Sequence, residues 1–207
     1  FQVFKLERER PPHVLLEDSL FFLKGPNLAR RDLGKATGSE TNLVTLSAAP
    51  SLPATIDYSA NEKAFIISHG SEYELVSRTS KKGFGKDAHF WSSGRFVVLD
   101  TAEQTIQIKS VAENNIIQVL KCPFPSVKSI FSAPDDCVLV VSSSLAGLVD
   151  LNTQALLVEI SVSEIKRVSW SPDHTRCALL SRNGIVLVDR TFNIISTAKE
   201  VVPVKSG

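Results

Sequence analysis

Chemistry at a surface needs charge, a nucleophile or metal-binding side chains gathered within reach of one another. One stretch of this sequence gathers charge: Arg78, Lys81, Lys82 and Lys86 surround Phe84. Four cations about one aromatic suit contact with an acidic partner or with lipid headgroups, long-range attraction supplying the approach and the ring an anchor. The competing reading is a solvated loop between strands, a common place for such charges. The run Lys81-Lys82-Gly83-Phe84-Gly85-Lys86 is not a nucleotide cradle, because it lacks the glycine spacing and the following Ser or Thr of a phosphate loop.

Other reactive side chains do not converge. His13, His69, His89 and His174 include no pair at the spacing that sets two metal ligands on one face. The serines of Ser142-Ser143-Ser144 lie outside any Gly-x-Ser-x-Gly elbow and read as turn residues. Asp100, Asp150 and Asp189 each close an apolar run, which suits a carboxylate capping a turn better than an acid catalyst. Cys122, Cys137 and Cys177 are odd in number and widely spaced, as expected of free thiols in a reducing cytosol. No catalytic, cofactor-binding or metal-binding residue is assigned.

These side chains must be positioned by a repeat. The block Val168-Ser169-Trp170-Ser171-Pro172-Asp173 is a short apolar run ending in an aromatic and a Ser-Pro-Asp turn. Related blocks are Ser129 to Asp135, Ala88 to Gly94 and Thr55 to Asn61, so that Tyr58, Trp91, Phe131 and Trp170 fall 33, 40 and 39 residues apart. A period near 40 in a sequence of strand-like runs is the mark of propeller blades. A second run follows each anchor: Ala64 to Ser68, Phe96 to Asp100, Val138 to Ser142 and Ala178 to Ser181. Third and fourth runs follow, as in Gly147 to Leu151 with Ala155 to Val162, and Gly184 to Asp189 with Asn193 to Thr197.

The runs are rich in Val, Ile, Leu and Phe, and the breaks in Pro, Asn, Asp, Ser and Gly, as strands and turns require. Arg182-Asn183-Gly184 reads as the clearest tight hairpin. The fold class is therefore all-β, a propeller of degenerate WD-type four-stranded blades spanning residues 1–207, with a weaker first unit at 12–50. Five such units are expected of a seven-bladed ring. Five units are not expected to close by themselves, so either the ring continues beyond Gly207 or the first unit is wrongly drawn; the start at Phe1 and the lack of any Met favour continuation, as a fragment of a longer polypeptide. The aromatic anchors are expected to pack between blades rather than to stack on bases.

Bulk properties exclude little beyond this. The 43% hydrophobic content suffices for a core, and 23 Lys plus Arg against 22 Asp plus Glu favour neither nucleic acid nor an anionic membrane. No apolar run approaches the roughly 20 residues of a spanning helix.

The segment Phe4-Lys5-Leu6-Glu7-Arg8-Glu9-Arg10-Pro11 resembles the entry to the second propeller of coatomer alpha subunits. Ser93 to Asp100, Lys166 to Leu180 and Val204-Lys205-Ser206-Gly207 are similar to the same family. In that family a first propeller recognises dilysine cargo tails and an α-solenoid follows the second. The cargo-binding residues belong to the first propeller, so none carries over. The resemblance implies a non-catalytic scaffold of the COPI vesicle coat, serving Golgi-to-endoplasmic-reticulum and intra-Golgi transport. It implies a cytoplasmic protein, peripheral on Golgi membranes and coated vesicles, with the β-prime and ε coatomer subunits as partners, no nucleic acid and no cofactor. Another WD-type adaptor, or an enzyme framed on a propeller, is the alternative.

Overall fold

The computed structural model describes residues 12–34, 40–47, 50, 54–181 and 184–199. The described residues form twenty strands and no helix. They group into five four-stranded sheets, and within each the strands are hydrogen-bonded in chain order. This is the four-run repeat expected from the sequence. The chain divides into two compact units, residues 1–90 and 91–207.

In the first unit, β1 (His13–Leu16), β2 (Ser19–Lys24), β3 (Asn27–Asp32) and β4 (Glu40–Thr45) make one blade. A second follows from β5 (Ala54–Ser59), β6 (Ala64–His69), β7 (Glu72–Val76) and β8 (Ser80–Phe84), and β9 (Lys86–Phe90) comes next. Ala64-Phe65-Ile66-Ile67 is apolar at every position because β6 lies inside the blade, with both faces covered; all four residues are buried. Leu23 and Leu28 of the first blade join Phe65, Ile67 and Val76 of the second in one core. Tyr58 packs against it, its ring 4.7 Å from Phe65 and 6.2 Å from Phe21.

The second unit holds β10 (Arg95–Asp100), β11 (Thr105–Ser110) and β12 (Ile116–Lys121), paired antiparallel in chain order. Two full blades follow. One is β13 (Ser129–Ser132), β14 (Cys137–Val141), β15 (Ala146–Asp150) and β16 (Leu156–Ile160); the other is β17 (Ile165–Trp170), β18 (Arg176–Ser181), β19 (Gly184–Asp189) and β20 (Ile194–Lys199). Every residue of β14 is buried. Cys137, Leu139 and Leu148 of one blade close a core with Cys177, Leu179 and Val188 of the next, and Phe131 and Trp170 pack on it. Trp91 packs on the neighbouring core built from β10, β11, β14 and β15. The anchors thus fill space between blades, as expected from their period.

Gly147 of β15 permits one close approach. A Cβ placed there would lie 2.7 Å from Leu156 and 2.9 Å from Phe124, so only glycine lets the Phe124 ring settle on the strand.

The fourth strand of a blade is its exposed edge, and edges are usually blunted. Four of these strands carry a shift of register against their neighbour: β4, β12, β16 and β20. The pair β7 and β8 runs from Val76 opposite Ser80 to Glu72 opposite Phe84 without one.

Candidate interaction surface

The basic segment is not a loop. Ser80 to Phe84 is strand β8, Arg78 sits in the tight turn before it, and Lys86 opens β9. Ser-Lys-Lys-Gly carries no alternation of apolar and polar residues and little strand preference, so pairing with β7 decides the conformation here.

Two backbone bonds fix which way β8 faces. Ser77 N donates to Thr79 O at 3.1 Å, and Gly85 N donates to Ser71 O at 2.8 Å. Hydrogen-bonded pairs alternate along an antiparallel ladder, so Lys81 and Gly83 turn their peptide groups toward β7. Ser80, Lys82 and Phe84 have the opposite parity. Their side chains share one exposed face, on which Phe84 is 77% exposed. The sequence-assigned residues therefore divide: Lys82 and Phe84 lie on one face, Lys81 lies on the other, and Arg78 and Lys86 flank the strand.

The same face also carries a buried carboxylate. Glu74, opposite Lys82, is 4% exposed. Its carboxylate accepts from Ser47 Oγ at 2.9 Å and from the Ser80 hydroxyl. Burying a carboxylate is costly unless hydrogen bonds replace its water, and these two serines supply them. Strand β9 is tied down as well: Ala88 N donates to Ser68 Oγ at 3.0 Å, Phe90 N donates to Asp57 Oδ2 at 2.8 Å, and His89 Nδ1 lies 3.6 Å from the same oxygen.

The turn carboxylates behave as read from the sequence. Asp100 Oδ1 accepts from the backbone N–H of Ala102 and Glu103 at 3.1 Å each. Asp150 Oδ1 accepts from Asn152 and Thr153, and Asp189 Oδ1 from Thr191 and Asn193. The Thr153 N–H chiefly holds the Asp150 carboxyl below the usual range, and the Asn193 side-chain amide and then the Thr191 hydroxyl do the same for Asp189, because these bonds favour the charged form. Asp173 of the Ser-Pro-Asp turn is drawn down to about 2, chiefly by the Ser171 hydroxyl at 2.6 Å and then by Thr175. Ser142 Oγ accepts from Leu145 N at 3.0 Å, which is a turn bond and not the pose of a nucleophile.

The second unit also contains a groove of about 510 Å³ that the sequence did not reveal. Pro134, Leu148, Leu157 and Trp170 supply apolar walls, and an ion pair from Arg190 to Asp135 crosses it. The partners are 55 residues apart, so no local pattern could announce the pairing. Cys137, in its floor, is pushed up to about 11 by burial, with Asp150, Asp135 and Asp136 adding to the shift. Among the described residues no group of three or more His, Cys, Asp or Glu is placed to hold a metal ion.

Successive four-stranded antiparallel sheets, with inner strands such as β6 and β14 buried and the aromatics Tyr58, Phe131 and Trp170 packed on the cores between blades, define a β-propeller chain. A family model described as the COPA/B second β-propeller matches residues 27–207, and the chain belongs to that family. It is similar to coatomer subunit alpha of Dictyostelium discoideum, 33% identical over 219 residues, and to coatomer subunit alpha-1 of Arabidopsis thaliana, 31% identical over 223. Coatomer subunit alpha-3 of Oryza sativa subsp. japonica is 31% identical over 226 residues. Each match covers 99% of this chain and 18% of the relative, so the chain spans under a fifth of the length of these curated relatives. Segments Phe4 to Pro11 and Val204 to Gly207, which carry part of the resemblance, lie outside the described residues, as do Arg182 and Asn183 of the Asn-Gly hairpin.

Proposed function

We propose that this chain is a structural part of the COPI vesicle coat, a coatomer alpha scaffold without catalytic activity. The observation that carries the reading is the family match over residues 27–207, together with about 30% identity to coatomer alpha subunits along 99% of the chain. In this reading the propeller works by geometry. Blade edges and turns hold neighbouring coat subunits, β-prime and ε among them, and membrane attachment is peripheral, on the cytoplasmic side of the Golgi. The dispersed chemistry supports it: the carboxylates of Asp100, Asp150 and Asp189 are committed to turns.

Depletion of the protein in cells, with a reporter membrane protein that cycles from the Golgi back to the endoplasmic reticulum, tests the role. Loss of the reporter's return is expected. Normal return after complete depletion contradicts it.

A further inference from the structure

Strand β8 combines three features that no other outer strand in the described residues shares. It is the last strand of its sheet and pairs with β7 without the register shift found in β4, β12, β16 and β20. It lies in a run, residues 78–86, with four cations and no acid. And it ends in Phe84, 77% exposed, the highest value among the exposed large hydrophobic residues.

A bulge disrupts the ladder and twists an edge away from a would-be neighbour. Its absence leaves β8 regular enough for another strand to dock. The ladder parity turns the peptide groups of Ser80 and Phe84 away from β7, along the open side of the sheet. Lys81, Lys82 and Lys86 already have partners inside the protein, so they act here through their field rather than as idle donors. Arg78 adds charge from the exposed turn. The acids nearby are Glu72, opposite Phe84, Asp87 beside Lys86, and the buried Glu74.

We propose that β8 receives an extended acidic segment of a partner protein by strand addition, with Phe84 covered by an apolar side chain of the incoming strand. Backbone bonds would give affinity and the cations would select for charge. Lysines on an edge deter pairing with other basic or neutral strands, which leaves an acidic strand as the fitting occupant. A lipid surface is the poorer match, since one exposed phenylalanine buries too little area for a bilayer anchor and headgroups offer no ladder. The inference is independent of the coat assignment.

The test uses the full-length protein and a fluorescent peptide of alternating Glu and Val, about ten residues long. A Lys/Val peptide and phosphatidylserine vesicles serve as controls. The Glu/Val peptide is expected to bind, more weakly as salt rises, and to protect the Ser80 and Phe84 amides from hydrogen exchange. Phe84→Pro removes an outward N–H at an edge position where proline is tolerated; affinity should fall about tenfold or more with the unfolding midpoint unchanged. Arg78→Glu, in a turn outside the ladder, should weaken binding without unfolding, and it keeps the test decisive if the proline variant fails to fold. Equal binding by both variants, absent protection of the two amides, equal affinity for the Lys/Val peptide, or binding to vesicles but not to the peptide overturns the proposal. Recovery of coat subunits is scored separately, so strand addition can fail while the coat reading stands.

Discussion

The ring of Tyr73 lies against the α-carbon of Gly83, its partner across the β7–β8 ladder, so closely that a Cβ on Gly83 would come within 2.2 Å of the ring. Tyr73 is 1% exposed and has nowhere to retreat. Glycine at this position is what lets a buried aromatic cover the inner face of a basic edge strand.

Gly83→Ala should therefore destabilise the protein by about 1–3 kcal/mol, the usual range for overpacking. Combined with Tyr73→Leu, the loss should be smaller than the sum of the single losses, because the clash is shared. Denaturant unfolding of the four proteins reads the coupling, and strict additivity would show that the two residues do not constrain each other.

Trp91 and Trp170 each bury an indole N–H that has no acceptor among the protein atoms. A buried donor without a partner costs free energy instead of contributing it. Trp170→Phe should cost less than about 1.5 kcal/mol, whereas Trp170→Ala should cost about 3 kcal/mol by leaving a cavity against Phe192, whose ring centre is 6.1 Å away. Equal losses for the two variants would contradict this assignment.

The depressed carboxyls set an acid limb. Asp173 falls from 3.8 to about 2, and Asp150 and Asp189 are also lowered. A folded-state value below the unfolded one gives stability that is present above about pH 4 and is lost as pH falls toward 2. Unfolding midpoints measured from pH 5 down to pH 2 should decline, and Asp173→Asn should flatten its share of the slope. An unchanged slope in the Asn variant would show that Asp173 does not contribute to the acid loss of stability.

Burial raises the thiols of Cys122 and Cys137 to about 11 and that of Cys177 to about 12. Since the thiolate is the nucleophile, alkylation by iodoacetamide at pH 8 should be slow in the native protein. Cys122 should react first, because it alone is not fully enclosed. In denaturant all three should label. Rapid native labelling of Cys177, seen by mass spectrometry, would be incompatible with the core described.

What the sequence revealed follows from how far each signal reaches along the chain. Ala64 to Ile67 and Val138 to Val141 announce strands buried on both faces, and Trp170 followed by Ser171-Pro172-Asp173 announces an anchor and its turn; each lies within one stretch of chain. Asp100, Asp150 and Asp189 were legible as turn residues for the same reason. Lys81 and Lys82 were not legible as strand, because pairing with Leu75 and Glu74 across the ladder imposes that conformation. The groove bridged by Arg190 and Asp135 joins two blades, and the register shifts of β12, β16 and β20 exist only once strands are paired.

If this propeller is part of a coat scaffold, the full-length protein should carry other coat subunits with it, and affinity purification of the tagged protein from cytosol measures that. Recovery of the other coatomer subunits at comparable stoichiometry, stable to gel filtration, is expected. Purification of the intact protein without them would contradict it.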